Sequence, residues 1–211
     1  MGEAKRRAAA LDKQEESLAN VDIPRLAAAI RKLATAASGN LGSDCYIHSA
    51  IAKAILGRLG IEAKLVVGHA AFRVGNGDGD VIMHAPTPGM IPQPGGVAYH
   101  VWLQIGSFLL DFTTYQLKRK AIQLDRLDGG NTTVTWCPDV LWTPIRSISS
   151  LRDVIQLDAG LYYYREVPSV AAMIISSAPE LDPTDVEAAW MLYQHEDMLV
   201  LGPNDAIGEN R

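Results

Sequence analysis

The run Ala98-Tyr99-His100-Val101-Trp102-Leu103-Gln104-Ile105-Gly106-Ser107-Phe108-Leu109-Leu110-Asp111-Phe112-Thr113 constrains this chain more than any other. Two β-rich segments flank Gly106-Ser107, and a two-residue loop with glycine first is a tight hairpin connection. With that loop, Ile105 faces Phe108, Trp102 faces Asp111 and His100 faces Thr113. Side chains alternate along a strand, so His100, Trp102, Asp111 and Thr113 share one face. His100 and Asp111 become diagonal neighbours, about 7–8 Å apart at the backbone and within reach of a side-chain hydrogen bond. One more residue in the loop would move Asp111 to the other face. The fold must therefore hold an antiparallel sheet that carries a histidine–aspartate pair.

A second informative stretch lies upstream, at Gly42-Ser43-Asp44-Cys45-Tyr46-Ile47-His48. Ser43 or Asp44 suits a helix N-cap. Ile47, Ile51, Ile55 and Leu59 then recur at helical spacing, with the stop at Gly57 to Gly60. Cys45 falls in the first turn, where free backbone N–H groups and the helix dipole favour a thiolate. By its helix alone such a cysteine is as readily a small buried apolar residue. It becomes a nucleophile only with a histidine base and an orienting carboxylate. The hairpin supplies both.

The rest of the chain fills in around these two stretches. Residues 1–20, charged and alanine-rich, read as a loosely attached helix or a frayed arm. Asp22-Ile23-Pro24 opens a helix whose apolar stripe is Leu26, Ala29, Ile30, Leu33 and Ala37. Residues 61–74 read as a strand. Residues 75–98 are rich in Gly and Pro and read as a long irregular loop, lid or binding segment, with a short apolar island at 81–84. Lys118-Arg119-Lys120 reads as a solvated basic turn and 128–131 as a loop. Residues 132–136 read as a strand, 138–144 as irregular, 150–157 as a short helix or strand, and 161–167 as a strand. A helix capped by Asp182 is expected over 183–199. The expected organisation is an arm (1–20), a single domain (21–200) and a polar tail (201–211).

Composition narrows the function. A chain of 211 residues that is 48% hydrophobic can bury one sizeable core. A net charge of -5 argues against nucleic acid as a partner. Two cysteines, 45 and 137, make no disulfide framework and suggest a cytoplasmic, reducing compartment. No apolar run approaches the length of a membrane span, so no membrane is expected. No metal is expected: among Cys45, His48, His69, His84 and His100 only the first two have local ligand spacing. Gly75-Asn76-Gly77-Asp78-Gly79-Asp80 resembles part of a calcium loop but lacks its closing glutamate. No cofactor is implied.

The order cysteine at a helix start, histidine on a strand, aspartate on the next strand suits a catalytic triad. Cys45 would attack an acyl carbon, His100 would hold and return the proton, and Asp111 would orient the imidazole. The Cys45 backbone N–H would meet the oxyanion, with Asn40 as the candidate side-chain donor. Gln104 points to the opposite hairpin face. Trp102 and His48 are substrate-proximal candidates, although a histidine one turn after Cys45 is as readily part of the core.

Gly42-Ser43-Asp44-Cys45-Tyr46, Tyr99-His100-Val101-Trp102-Leu103 and Leu110-Asp111-Phe112-Thr113 together resemble the core of the transglutaminase-like superfamily, within the papain-like cysteine peptidase fold. The resemblance covers residues 40–116 and implies a bacterial branch of that superfamily. It implies an α+β fold with the nucleophile helix packed on an antiparallel sheet. The implied activity is that of a thiol-dependent hydrolase or acyltransferase acting on a peptide, protein or small amide through a thioester. Two alternatives stand beside it. One is an inactive binding module of the same fold that uses the 75–98 segment. The other is acyl transfer of the arylamine N-acetyltransferase type, although no Arg-Gly-Gly-x-Cys start is present.

Overall fold

The computed structural model describes residues 16–37, 45–86 and 97–206. Among them are helices α1 (Ile23–Ala36), α2 (Cys45–Arg58), α3 (Leu117–Asp128), α4 (Leu151–Gln156), α5 (Pro168–Ser177), α6 (Pro183–Gln194) and α7 (Pro203–Ala206). The strands are β1 (Lys64–Arg73), β2 (Val81–His84), β3 (His100–Ile105), β4 (Phe108–Asp111), β5 (Leu141–Pro144) and β6 (Tyr162–Glu166). The class is α+β, with a curled, wholly antiparallel six-stranded sheet.

The hairpin register is the one its turn dictates. Ile105 pairs with Phe108 and Leu103 with Leu110. Gly106 takes φ +55, a conformation that glycine adopts without steric cost. β1 organises the other strands. β6 runs along one edge, opposite Gly68 to Phe72. β2 faces Ala70 to Arg73 and β3 faces Lys64 to Gly68. A strand has two edges, so β2 and β3 lie end to end along the second. His84 stands opposite Ala70 and His100 opposite Gly68, which brings the two histidines together at the break between the strands.

Each sheet face has its own core. On one face α1, α2 and α6 bury Ile30, Ile51, Ile55, Leu56 and Ala189 against Leu103, Ile105 and Leu110. Each large aliphatic side chain removed from water there contributes about 1.5–3 kcal/mol. On the other face Val66, Phe72, Trp102, Leu109 and Tyr164 pack against Leu117 and Ala121 of α3. The Ser49 hydroxyl donates to Val101 O at 3.2 Å. That buried bond fixes α2 on β3 one turn after Cys45 and one residue after His100.

Several expectations need correction. The apolar island at 81–84 is strand β2, an edge partner of β1. Lys118-Arg119-Lys120 is the first turn of α3, whose stripe Leu117, Ala121, Leu124 packs on the second core. Leu141–Pro144 is a strand; 151–156, expected as a short helix or strand, is a helix. Residues 132–136 join no ladder; Thr135 and Trp136 both donate their backbone N–H to Val74 O. The Asp182-capped helix ends at Gln194, and α5 was not expected at all. Residues 16–19 are helical, one of the two forms expected there, and bury Leu18 in the first core. At the other end, Asn204 donates to Thr35 O at 2.9 Å. Asn40, Ser43 and Asp44 lie outside the described residues.

Candidate active site

The sheet brings His100 and Asp111 into direct contact. Nε2 of His100 lies 2.6 Å from Oδ2 of Asp111, and both side chains are almost wholly buried. The carboxylate has further donors. The backbone N–H and the hydroxyl of Thr113 donate to Oδ1 at 2.8 and 2.7 Å. The phenol of Tyr164 donates to Oδ2 at 2.7 Å. Burial pushes the Asp111 carboxyl up, but His100 and the two Thr113 donors outweigh it and bring the group down to about 2.

His100 shows the complementary balance. Burial pulls the imidazole down, while the Asp111 carboxylate beside it and a smaller contribution from the Cys45 side chain lift it to about 10. The ring is thereby held as imidazolium at neutral pH. Its second nitrogen, Nδ1, is buried and forms no hydrogen bond among the described residues. Cys45, at the first position of α2, is partly exposed and carries a free thiol.

An aromatic cage fixes the imidazole. Trp102 stacks on it with centroids 6.4 Å apart, Phe72 meets it edge-on at 5.6 Å, and His84 lies 4.8 Å away. Burial, and then the positive charge on His100, hold His84 well below the ordinary histidine range. The charge of the pair therefore stays on His100.

Cys45 and His100 open onto a cleft of about 610 Å³, whose wall includes His84, Tyr99, Thr114 and Gln116. That size suits a small molecule or a few residues of peptide. The hairpin face holds His100 and Asp111 as expected, but Trp102 is only 5% exposed and packs beneath the histidine, outside the cleft lining. It supports the imidazole from beneath. His48 is fully buried; its Nε2 lies 3.0 Å from the Tyr115 hydroxyl, and it too is absent from the lining. His48 belongs to the core.

Sequence reasoning missed Tyr164 and His84. Tyr164 reaches Asp111 from 53 residues away, through a strand pairing that no local pattern announces. His84 arrives through the end-to-end placement of β2 and β3. Among the described residues no group of three or more His, Cys, Asp or Glu is placed to hold an ion. No helix among them is long and apolar enough to cross a membrane.

No protein-family model matches the chain, and no curated protein matches it. Among solved structures it is similar to a crystal structure identified as genomics APC5867, with a TM-score of 0.54 and 15% identity. That likeness covers 81% of this chain and 76% of the other, and it concerns the fold alone.

Proposed function

We propose that this protein is a thiol-dependent hydrolase or acyltransferase that acts on a peptide or small amide through a Cys45 thioester, on a papain-like or transglutaminase-like form of the α+β fold. The observation that carries this reading is the division of labour on one ring. Nε2 of His100 is committed to Asp111, while Nδ1 is buried and unbonded with the Cys45 thiol close by.

The chemistry follows from that geometry. The proton that the thiol gives up is the one held on Nδ1, and Asp111 keeps that imidazolium in place. The sulfur attacks the acyl carbon. The backbone N–H of Cys45, in the first turn of α2 where a helix supplies no partner of its own, would meet the developing oxyanion. His100 then gives its proton to the leaving amine as the C–N bond breaks. Water, or a second amine or alcohol, attacks the thioester while His100 takes its proton, and the thiol is regenerated. No cofactor enters the sequence.

Alkylation of the intact protein tests the reading. At pH 6 a free thiol is almost wholly protonated. Cys45 should then react with iodoacetamide at least about tenfold faster than free cysteine, and His100→Asn should remove the advantage. Cys137, located by mass spectrometry, is the internal reference. If Cys45 reacts no faster than free cysteine and loss of His100 changes nothing, the inactive binding module replaces the enzyme.

A further inference from the structure

The cleft beside Cys45 has a charge of its own. Arg119 and Lys120 line it, and among its described lining residues there is no Asp or Glu. The chain as a whole has a net charge of -5, so this wall opposes the sign of the molecule. The cations also sit where helix electrostatics disfavour them. They belong to the first turn of α3, which contains no acidic residue, at the end of the helix that attracts anions.

A second observation is independent of charge. Thr114, in the turn that leads into α3, is 1% exposed and lines the same cleft. Its Oγ1 is buried and has no hydrogen-bond partner among the described residues. Buried hydroxyls ordinarily find one. An oxygen-bearing ligand lodged against the start of α3 would supply it.

Resting on the thiol-enzyme reading above, we propose that the substrate carries a carboxylate near the scissile bond, held between Arg119, Lys120 and Thr114 at the start of α3. The remaining wall argues for a carboxylate over a polyphosphate. Phe72, Met83, Val97, Leu117 and Leu124 line it, which suits a short acyl chain ending in one acid group, such as an acidic amino-acid residue. Arg119 is already braced for the role, since its Nη2 donates to Gln116 Oε1 at 3.2 Å.

Two alkylating agents of nearly equal size separate this proposal from the reading it rests on. Iodoacetamide is neutral and iodoacetate carries a carboxylate, so the ratio of their rates at Cys45 reads the anion site without knowledge of the substrate. In Arg119→Gln/Lys120→Gln the iodoacetate-to-iodoacetamide ratio should fall about tenfold relative to the native chain. Lys118→Gln removes one positive charge one residue away, outside the cleft lining, and should leave the ratio as it is. In the native protein about 0.5 M salt should lower the ratio, which keeps the test valid if the double variant folds poorly. A ratio unchanged in the double variant and in salt, or lowered as much by Lys118→Gln, overturns the carboxylate site while a fast iodoacetamide reaction leaves the thiol enzyme standing. A slow iodoacetamide reaction overturns the thiol enzyme itself.

Discussion

The Tyr164 hydroxyl lies 2.7 Å from Oδ2 of Asp111, the same oxygen that holds Nε2 of His100. One carboxylate oxygen thus serves a phenol and an imidazole at once. By donating to it, Tyr164 stabilises the carboxylate charge and moderates its hold on the imidazolium proton. Tyr164→Phe should raise the pKa of His100 further, so that the imidazolium parts with its proton less readily. Turnover should slow on the order of 3–10-fold, and urea unfolding should show a loss of about 1.5–3 kcal/mol from the missing charged hydrogen bond. A merely structural Tyr164 would change stability without moving the pH at which His100 titrates by NMR.

Asp111→Asn removes the influence that outweighs burial. Burial is the largest single effect on His100 and it lowers the imidazole, so without the carboxylate the ring should be neutral at pH 7. Alkylation of Cys45 at pH 6 should fall to the rate of free cysteine. Breaking a buried pair also leaves groups uncompensated, and chemical denaturation should report a loss of about 3–5 kcal/mol. Retention of fast alkylation in a folded Asp111→Asn protein would show that the carboxylate does not hold the imidazolium.

Stability should pass through a maximum with pH because the two facing histidines are shifted in opposite directions. His100 has a raised folded pKa, so its contribution is complete below about 6.5 and is lost as pH rises toward about 10. Asp111, lowered to about 2, keeps its contribution above about 3.8 and loses it as pH falls through that folded value. His84 is lowered, so the unfolded chain gains a proton first and stability falls as pH drops below about 6.5. These influences place the optimum near pH 6.5, with a loss on the order of 2 kcal/mol by pH 9. In His84→Leu the acid side should flatten and the optimum move down. Urea titrations from pH 4 to 9 in both proteins check this; an unmoved optimum would refute the role of His84.

Gly68 sits between β3 and β6, paired with His100 on one side and Glu166 on the other. A Cβ there would come 2.0 Å from Arg165 O and 2.9 Å from the Cα of Glu166. Gly68→Ala must therefore part β1 from β6, the strand that carries Tyr164. Overpacking of this kind costs about 1–3 kcal/mol. Thermal unfolding should show that loss, and Cys45 alkylation should slow with it; native-like values for both would mean that the strands yield without disturbing the pair.

The fold was legible where a local rule decides the geometry. The Gly106-Ser107 turn sets parity across eleven residues, so His100 and Asp111 could be paired from their positions alone. The isoleucines of α2 and the Asp22 and Asp182 caps are equally local. β2 was not legible, because four residues among glycines and prolines become a strand only when β1 offers an edge. α3 was obscured by its basic first turn, although Leu117, Ala121 and Leu124 stood at helical spacing. Parity placed Trp102 on the right face, but the Tyr164 ring that meets it edge-on comes from β6, distant in sequence. The same distance hid Tyr164.

The end-to-end seating of β2 and β3 has a consequence for how such a chain can vary. The 15 residues from 85 to 99 leave one edge of β1 and return to that same edge two positions along. Both ends are pinned by their own ladders, so residues gained or lost between them shift no side chain in the sheet. At Gly106-Ser107 a single insertion would turn Asp111 away from His100. Two connections that flank one strand thus differ in what they can absorb. The first is a place where length can drift and new sequence can be grafted, and the second is a place where the reading frame of the sheet is kept.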